Sequence, residues 1–227
     1  MVHACLFLCG ARNLIGGSIR FPYIQENRRN FMANKKDTYR AKIVVIGDGA
    51  CGKTCMLEVY KSGIFPEDYV PTIVDNFVMK EELTAGEVVL TLWDTSGQDE
   101  YDALRPLSYS NANLIIICYS IEKKDRLGNI EEKWLTEIQN LCKNVPYFLI
   151  GLKSDIRDNA SPSQTEKYVS TEEGKELAQK IGASYFSECS ALTQKNIKET
   201  FEEIGNYIIK HQKETSYQKG FKFFYCC

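Results

Sequence analysis

The sequence predicts an α/β fold: an open, mostly parallel sheet with helices on both faces. Three observations carry that expectation. Runs 43–46, 88–93, 114–119 and 148–152 are nearly continuous in aliphatic residues rather than alternating, as strands covered on both faces require. Segments with apolar residues at helical spacing lie between them. One turn signal, Thr84-Ala85-Gly86, joins 77–83 to 88–93 as a hairpin, so a single antiparallel strand accompanies the crossover-connected ones.

The elements follow in order. A helix over 53–61 comes after the first strand. A second, 129–141, sets Ile130, Trp134, Ile138 and Leu141 on one side. A third, 171–181, opens on Ser170-Thr171-Glu172-Glu173, with Ser170 as the cap and Glu173 as its reciprocal partner. The last, 197–209, places Ile197, Phe201, Ile204 and Ile208 at helical spacing. No internal repeat or low-complexity tract interrupts them.

A chain of 227 residues suits one domain with short extensions. No apolar run approaches the ~20 residues that span a bilayer. Nine cysteines without Cys-x-x-Cys spacing point away from a disulfide scaffold or a zinc site and toward a reducing compartment. The formal net charge of −2 conceals a gradient: +6 over 1–42, −11 over 43–205 and +3 over 206–227. The acidic body argues against nucleic-acid binding. The basic ends suit either an anionic membrane surface or plain solvated tails.

Gly47-Asp48-Gly49-Ala50-Cys51-Gly52-Lys53-Thr54 fits the G-x-x-x-x-G-K-[ST] phosphate-binding loop, directly after an apolar strand and opening a helix. The glycines allow a tight turn that aims successive N–H groups at one anion, and the helix N-terminus adds a favourable field. Lys53 is expected at the β- and γ-phosphates and the Thr54 hydroxyl on Mg²⁺. Further on, a strand ends in Asp94-Thr95-Ser96-Gly97-Gln98. Asp94 is placed to reach Mg²⁺ through water, Gly97 to offer its N–H to a γ-phosphate, and Gln98 to orient an attacking water.

With these motifs in hand, the stretch from about 38 to 212 resembles the Ras-like small GTPases and, within them, the Rho family. Phe65-Pro66-Glu67-Asp68-Tyr69-Val70-Pro71-Thr72, Trp93 through Gln98 with Tyr101, Arg105-Pro106-Leu107-Ser108-Tyr109 and Glu188-Cys189-Ser190-Ala191-Leu192 carry the likeness. The resemblance implies a GTPase domain with a six-stranded sheet, one strand antiparallel. It implies that Thr72 binds Mg²⁺ and the γ-phosphate, that Phe65 packs on the guanine, and that Tyr69 covers the phosphates. Cys55 would border the nucleotide, and a second switch segment would run from about Asp94 to Leu107.

Guanine recognition falls to Leu152-Lys153-Ser154-Asp155. The Asp155 carboxylate can accept from the N1–H and 2-amino groups of guanine, a donor pair adenine lacks. The Lys153 stem can lie along base and ribose, and Ser190, Ala191 and Leu192 can offer backbone N–H groups to O6. Three departures stand beside these matches. Leu152 occupies a position where Asn or Thr is usual, which costs about 1 kcal/mol of affinity. Ser96 replaces the usual alanine. Segment 156–169 is several residues short of the helical insertion of Rho proteins.

The chain closes on Phe224-Tyr225-Cys226-Cys227, similar to the double-cysteine end of Rab proteins, so Cys226 and Cys227 are the expected lipid sites. Residues 1–37 form an N-terminal extension, expected to be disordered or to reflect a misassigned start: the first 31 match nothing in the family, Met32-Ala33-Asn34-Lys35-Lys36 looks like its usual short start, and the alternative is a basic arm acylated at Cys5 or Cys9. Residues 213–227 read as a flexible tail.

The implied activity is GTP hydrolysis in a monomeric molecular switch. Partners would be GTP and GDP, exchange factors, activating proteins, a dissociation inhibitor and effectors. The site would be the cytoplasmic face of the plasma membrane, signalling to the actin cytoskeleton or cell polarity. Gln98, Lys53 and Gly97 would carry the chemistry. The sequence places no cation for a cis arginine finger, so intrinsic turnover would be slow. Two rivals differ in kind. A GTP-locked binding module is opposed by the presence of Gly49 and Gln98. A metabolic phosphotransferase would need an Arg-rich lid, and only Arg157 follows Asp155.

Overall fold

The computed structural model describes residues 37–67 and 71–224, with side chains through residue 215. Tyr69, Cys226, Cys227 and the extension through residue 36 lie outside the described residues. Six strands form one sheet: β1 (Thr38–Gly47), β2 (Val74–Leu83), β3 (Gly86–Thr95), β4 (Leu114–Ser120), β5 (Tyr147–Leu152) and β6 (Tyr185–Cys189). Their spatial order is β2-β3-β1-β4-β5-β6. Only the β2–β3 pair is antiparallel, with Leu83 opposite Gly86 across the two-residue turn. All other pairs are parallel.

The helices are α1 (Lys53–Ser62), α2 (Thr136–Leu141), α3 (Ser154–Asp158), α4 (Thr171–Ile181) and α5 (Ile197–Phe224). A π-helical turn, Ile130–Leu135, leads into α2. Ser170 caps α4 reciprocally with Glu173, at 3.1 Å and 2.9 Å. Helix α5 continues past 209 because nothing from 210 to 219 is Pro or Gly; it therefore enters the segment that reads as a tail in the sequence. Segment 156–169 holds the end of α3 and the short 3₁₀ turn Thr165–Lys167, and no longer helix.

The alternation of β1 divides the core. Ile43 and Val45 face a cluster with Met56 and Leu57 of α1 and Phe201 and Ile204 of α5. Val44 and Ile46 face Ile130, Trp134 and Ile138 beside Leu177 and Ile181 of α4. All seven residues of β4 are buried, which explains the apolar run of its first six. Because five strands run parallel, the segments after β1, β3, β4, β5 and β6 all emerge at one edge of the sheet. Ligands of open α/β sheets bind at that edge.

Candidate nucleotide site

The loop after β1 begins at Gly47, whose φ is +140°; a Cβ there would fall 2.1 Å from the Cys118 carbonyl oxygen, so only glycine fits. The loop returns through Gly52 into the first turn of α1, leaving the early N–H groups of that helix at the edge of the site. Lys53 is 5% exposed and its Nζ donates to the carbonyls of Gly47 at 2.7 Å and Asp48 at 3.0 Å. The ammonium is thus held inside the loop, against Gly49, Ala50 and Gly52 of the cavity wall.

The Asp48 side chain does something the sequence did not suggest. Its carboxylate accepts from Asn129 Nδ2 at 2.8 Å and from Trp134 Nε1 at 2.7 Å. The phosphate loop is therefore tied to the π-helical turn. Both partners lie more than 80 residues along the chain, so no local pattern announces the pairing.

Thr54, Thr72 and Asp94 meet at the opening of α1. The hydroxyls of Thr54 and Thr72 are 2.8 Å apart, and Thr54 donates to Asp94 Oδ2 at 2.6 Å. Asp94 is 3% exposed, and its Oδ1 has no hydrogen-bond partner among the described residues. Burial pushes its carboxyl above the ordinary carboxylate value, although Thr54, Lys53 and Thr72 pull the other way. Two hydroxyls and an under-satisfied buried carboxylate form the hard oxygen donor set that suits Mg²⁺.

Gly97 presses on the phosphate loop. A Cβ there would lie 2.0 Å from the Gly47 carbonyl oxygen and 2.5 Å from the Gly49 nitrogen. Gln98 follows with an exposed side chain whose Cγ would lie 3.4 Å from a Cβ at Gly49. Gly49, Gly97 and Gln98 line the cavity that also holds Lys53, Thr54, Cys55 and Thr72.

A cavity of about 210 Å³ lies next to it, walled by Cys55, Phe65, Leu152, Lys153, Asp155, Ile156, Ala191 and Leu192. The Asp155 carboxylate is held by the Ser190 hydroxyl at 2.5 Å. Lys153 Nζ pairs with Glu122 at 3.1 Å. Leu152 is 2% exposed and belongs to the core; its Cδ1 lies 3.6 Å from a Cβ built on Gly52. Leu152 thus lies in the core close to Gly52 of the phosphate loop, where the sequence suggests only a lost hydrogen bond. Burial raises the thiol pKa of Cys51, against the opposing pull of Lys53, and also that of Cys55. Neither is an activated thiolate.

The segment expected to form the second switch is fastened to the same helical stretch as Asp48. Lys133 pairs with Asp99 and, at 3.2 Å, with Asp102. Arg105 is 1% exposed and forks onto Glu137 at 2.8 Å and 2.9 Å, with further bonds to the Ser96 carbonyl at 2.8 Å and to Asp102 at 2.5 Å. Tyr109 also donates to Glu137, and the guanidinium lies 4.5 Å over the Trp134 ring. Burial alone would lower the Arg105 pKa; the hydrogen bonds to Glu137 and Asp102 outweigh it and raise it.

One cation stands where the sequence places none. Arg126, in the loop after β4, borders a cavity of about 520 Å³ together with Gly49, Gly97 and Gln98. Since β4 lies parallel beside β1, the loops after both strands open side by side, which brings Arg126 to the phosphate loop.

The Ras family model matches residues 42–210 of this chain. The chain is 46% identical over 190 residues to GTP-binding protein RHO1 of Candida albicans, spanning 81% of this chain and 96% of that protein. It is 43% identical over 189 residues to GTP-binding protein rho1 of Schizosaccharomyces pombe, with coverages of 81% and 94%. It is 44% identical over 185 residues to GTP-binding protein RHO1 of Saccharomyces cerevisiae, with coverages of 79% and 88%. With a phosphate loop, a parallel-strand edge and a matched body of this extent, the chain belongs to the Ras family as a Rho-like small GTPase, an enzyme that hydrolyses GTP.

Proposed function

We propose that the protein is a Mg²⁺-dependent GTP switch, with the residues of the two adjoining cavities in distinct roles. The observation that carries this reading is the meeting of Thr54, Thr72 and Asp94, at 2.8 Å and 2.6 Å, beside the buried Lys53. Thr54 and Thr72 would hold the metal directly and Asp94 through water. Mg²⁺, when bound, supplies positive charge to the β- and γ-phosphate oxygens. Lys53 and the backbone N–H groups from Gly47 through Cys55 hold the phosphates. Gln98 orients the attacking water, and the Gly97 N–H holds the γ-phosphate. Loss of that phosphate frees Thr72 and Gly97 and so releases both switch segments.

Asp155, steadied by Ser190, selects guanine; Phe65, Lys153 and the backbone of Ala191 and Leu192 complete the base pocket, with Tyr69 closing over the phosphates. Exchange factors, activating proteins, a dissociation inhibitor and effectors act on the switch segments, in signalling to the actin cytoskeleton or cell polarity. Lipids on Cys226 and Cys227 anchor the chain at the cytoplasmic face of the plasma membrane. Among the described residues no helix is long and apolar enough to cross a membrane. A Cys226→Ser/Cys227→Ser variant that stays in the membrane fraction of cells refutes the anchor.

The test of the switch is the nucleotide released on denaturing the purified protein, before and after loading with GTP and Mg²⁺. Bound GDP, with added GTP slowly converted, is the expected result. Gln98→Leu should retain GTP, and Thr54→Asn should lose Mg²⁺-dependent GTP binding. Adenine nucleotides, or GTP held without conversion, would overturn the reading.

A further inference from the structure

We propose that Arg126 acts in cis as a further catalytic residue, supplying positive charge to the γ-phosphoryl group as GTP is hydrolysed. The inference rests on the Gln98 reading above and adds a second group to it.

The placement comes from the fold. Loop residues after Ser120 make the short turn Lys124–Arg126, held by Arg126 N–H to the Lys123 carbonyl at 3.0 Å and Leu127 N–H to the Lys124 carbonyl at 3.2 Å. Arg126 stands at the junction of two cavities. One is the 520 Å³ space it shares with Gly49, Gly97 and Gln98. The other, about 330 Å³, runs along the outer side of the phosphate loop past Ala50 and Cys51. Gly49, Gly97 and Gln98 also line the cavity of Lys53 and Thr72, so they are the wall the two cavities share.

The charge at that wall is available. The Arg126 side chain is exposed, and no ion pair among the described residues holds it. Lys133, the other cation of the cavity, is engaged by Asp99 and Asp102. Glu100 borders the same space and is the competing acceptor. A γ-phosphate carries more charge than one carboxylate and offers a guanidinium two oxygens in fork geometry.

In the step itself, the water oxygen bonds to the γ-phosphorus and the bond to the β–γ bridging oxygen breaks. GDP leaves, and the protons of the water go to inorganic phosphate and solvent. The guanidinium keeps its protons throughout and stabilises charge on the equatorial oxygens. An exposed arginine must lose rotamer freedom to act, so its effect falls short of the ~10³–10⁵-fold of a supplied arginine finger; about 10-fold is expected. Absolute turnover remains slow.

Single-turnover GTP hydrolysis without any activating protein, with GDP release measured in parallel, tests the assignment. Arg126→Ala should hydrolyse about 10-fold more slowly with unchanged GDP release, and Arg126→Lys should recover only part of the rate. Guanidinium ion added to Arg126→Ala should restore some activity. Wild-type protein with GDP should take up aluminium fluoride, a mimic of the transferring phosphoryl group, and Arg126→Ala should not. Equal hydrolysis by wild type and Arg126→Ala overturns the proposal alone, as does a parallel change in GDP release that accounts for the whole effect. Wild-type protein that binds GTP but leaves it intact overturns the hydrolysis reading and this inference together.

Discussion

Arg105→Met removes the guanidinium that fastens the end of the second switch segment while keeping most of the apolar stem. Arg105 is 1% exposed and the Glu137 side chain 16%, so water replaces the lost partner only in part. Glu137 would keep only the Tyr109 hydroxyl, and the buried Ser96 carbonyl would lose its donor. Breaking one side of a buried ion pair costs about 3–5 kcal/mol. In a domain of this size each kcal/mol lowers the melting temperature by about 2–4 °C, so a drop of roughly 6–20 °C is expected. Thermal unfolding should be followed by circular dichroism at fixed GDP and Mg²⁺, since ligand alone moves the midpoint. Glu137→Met added to Arg105→Met should recover much of the loss, because the stranded carboxylate then disappears. A single-variant loss below about 1 kcal/mol would refute the reasoning, since that is the value of a solvent-screened surface pair.

Three further outcomes follow from the site. Gly97→Ala sets a Cβ 2.0 Å from the Gly47 carbonyl, so the switch must lift off the phosphate loop; single-turnover hydrolysis should fall at least about 10-fold while GDP still binds. Asp94 has a raised value in the metal-free fold, so that fold holds the extra proton between the ordinary carboxylate value and the raised one. The metal-free fold therefore loses stability as pH rises through that window. Asp94→Asn should be at least as stable as wild type in EDTA at pH 7, yet gain nothing from Mg²⁺; equal Mg²⁺ stabilisation of both would remove Asp94 from the metal site. Trp134→Phe keeps an aromatic ring but removes the indole N–H and part of the buried volume, leaving the Asp48 carboxylate with Asn129; the lost bond to a charged group alone is worth about 1.5–3 kcal/mol. GDP release should quicken by about 10-fold, and an unchanged rate would show that the tie does not position the loop.

Legibility in the sequence followed the range of the interaction. Strands β3, β4 and β5 were visible because burial on both faces leaves an unbroken apolar run. Their polar ends were not: β1 begins at Thr38, five residues before its aliphatic stretch, because backbone pairing with β3 extends it. Strand β6, Tyr185–Cys189, escaped notice among the apolar runs because four of its five residues are only half-buried at the sheet edge. The cap of α4 was legible since its partners are three residues apart. The phosphate-loop pattern and the Asp155 segment are each local in sequence, and the structure places them beside adjoining cavities. Asp48 with Trp134, Arg105 with Glu137, and Arg126 beside Gln98 were not legible, since each depends on strand order bringing distant loops to one edge. Leu152, which in sequence reads only as a lost hydrogen bond, is also a buried core residue.

The helix that starts as the π turn at Ile130 grips the phosphate loop through Asn129 and Trp134, and the second switch through Lys133 and Glu137. Such a shared mount makes traffic between its two clients two-way. A small molecule wedged against this helix would change nucleotide affinity by the same factor by which the nucleotide changes the affinity for that molecule. Compounds that bind the GDP-loaded protein more tightly than the nucleotide-free one would thereby tighten GDP binding by the same factor.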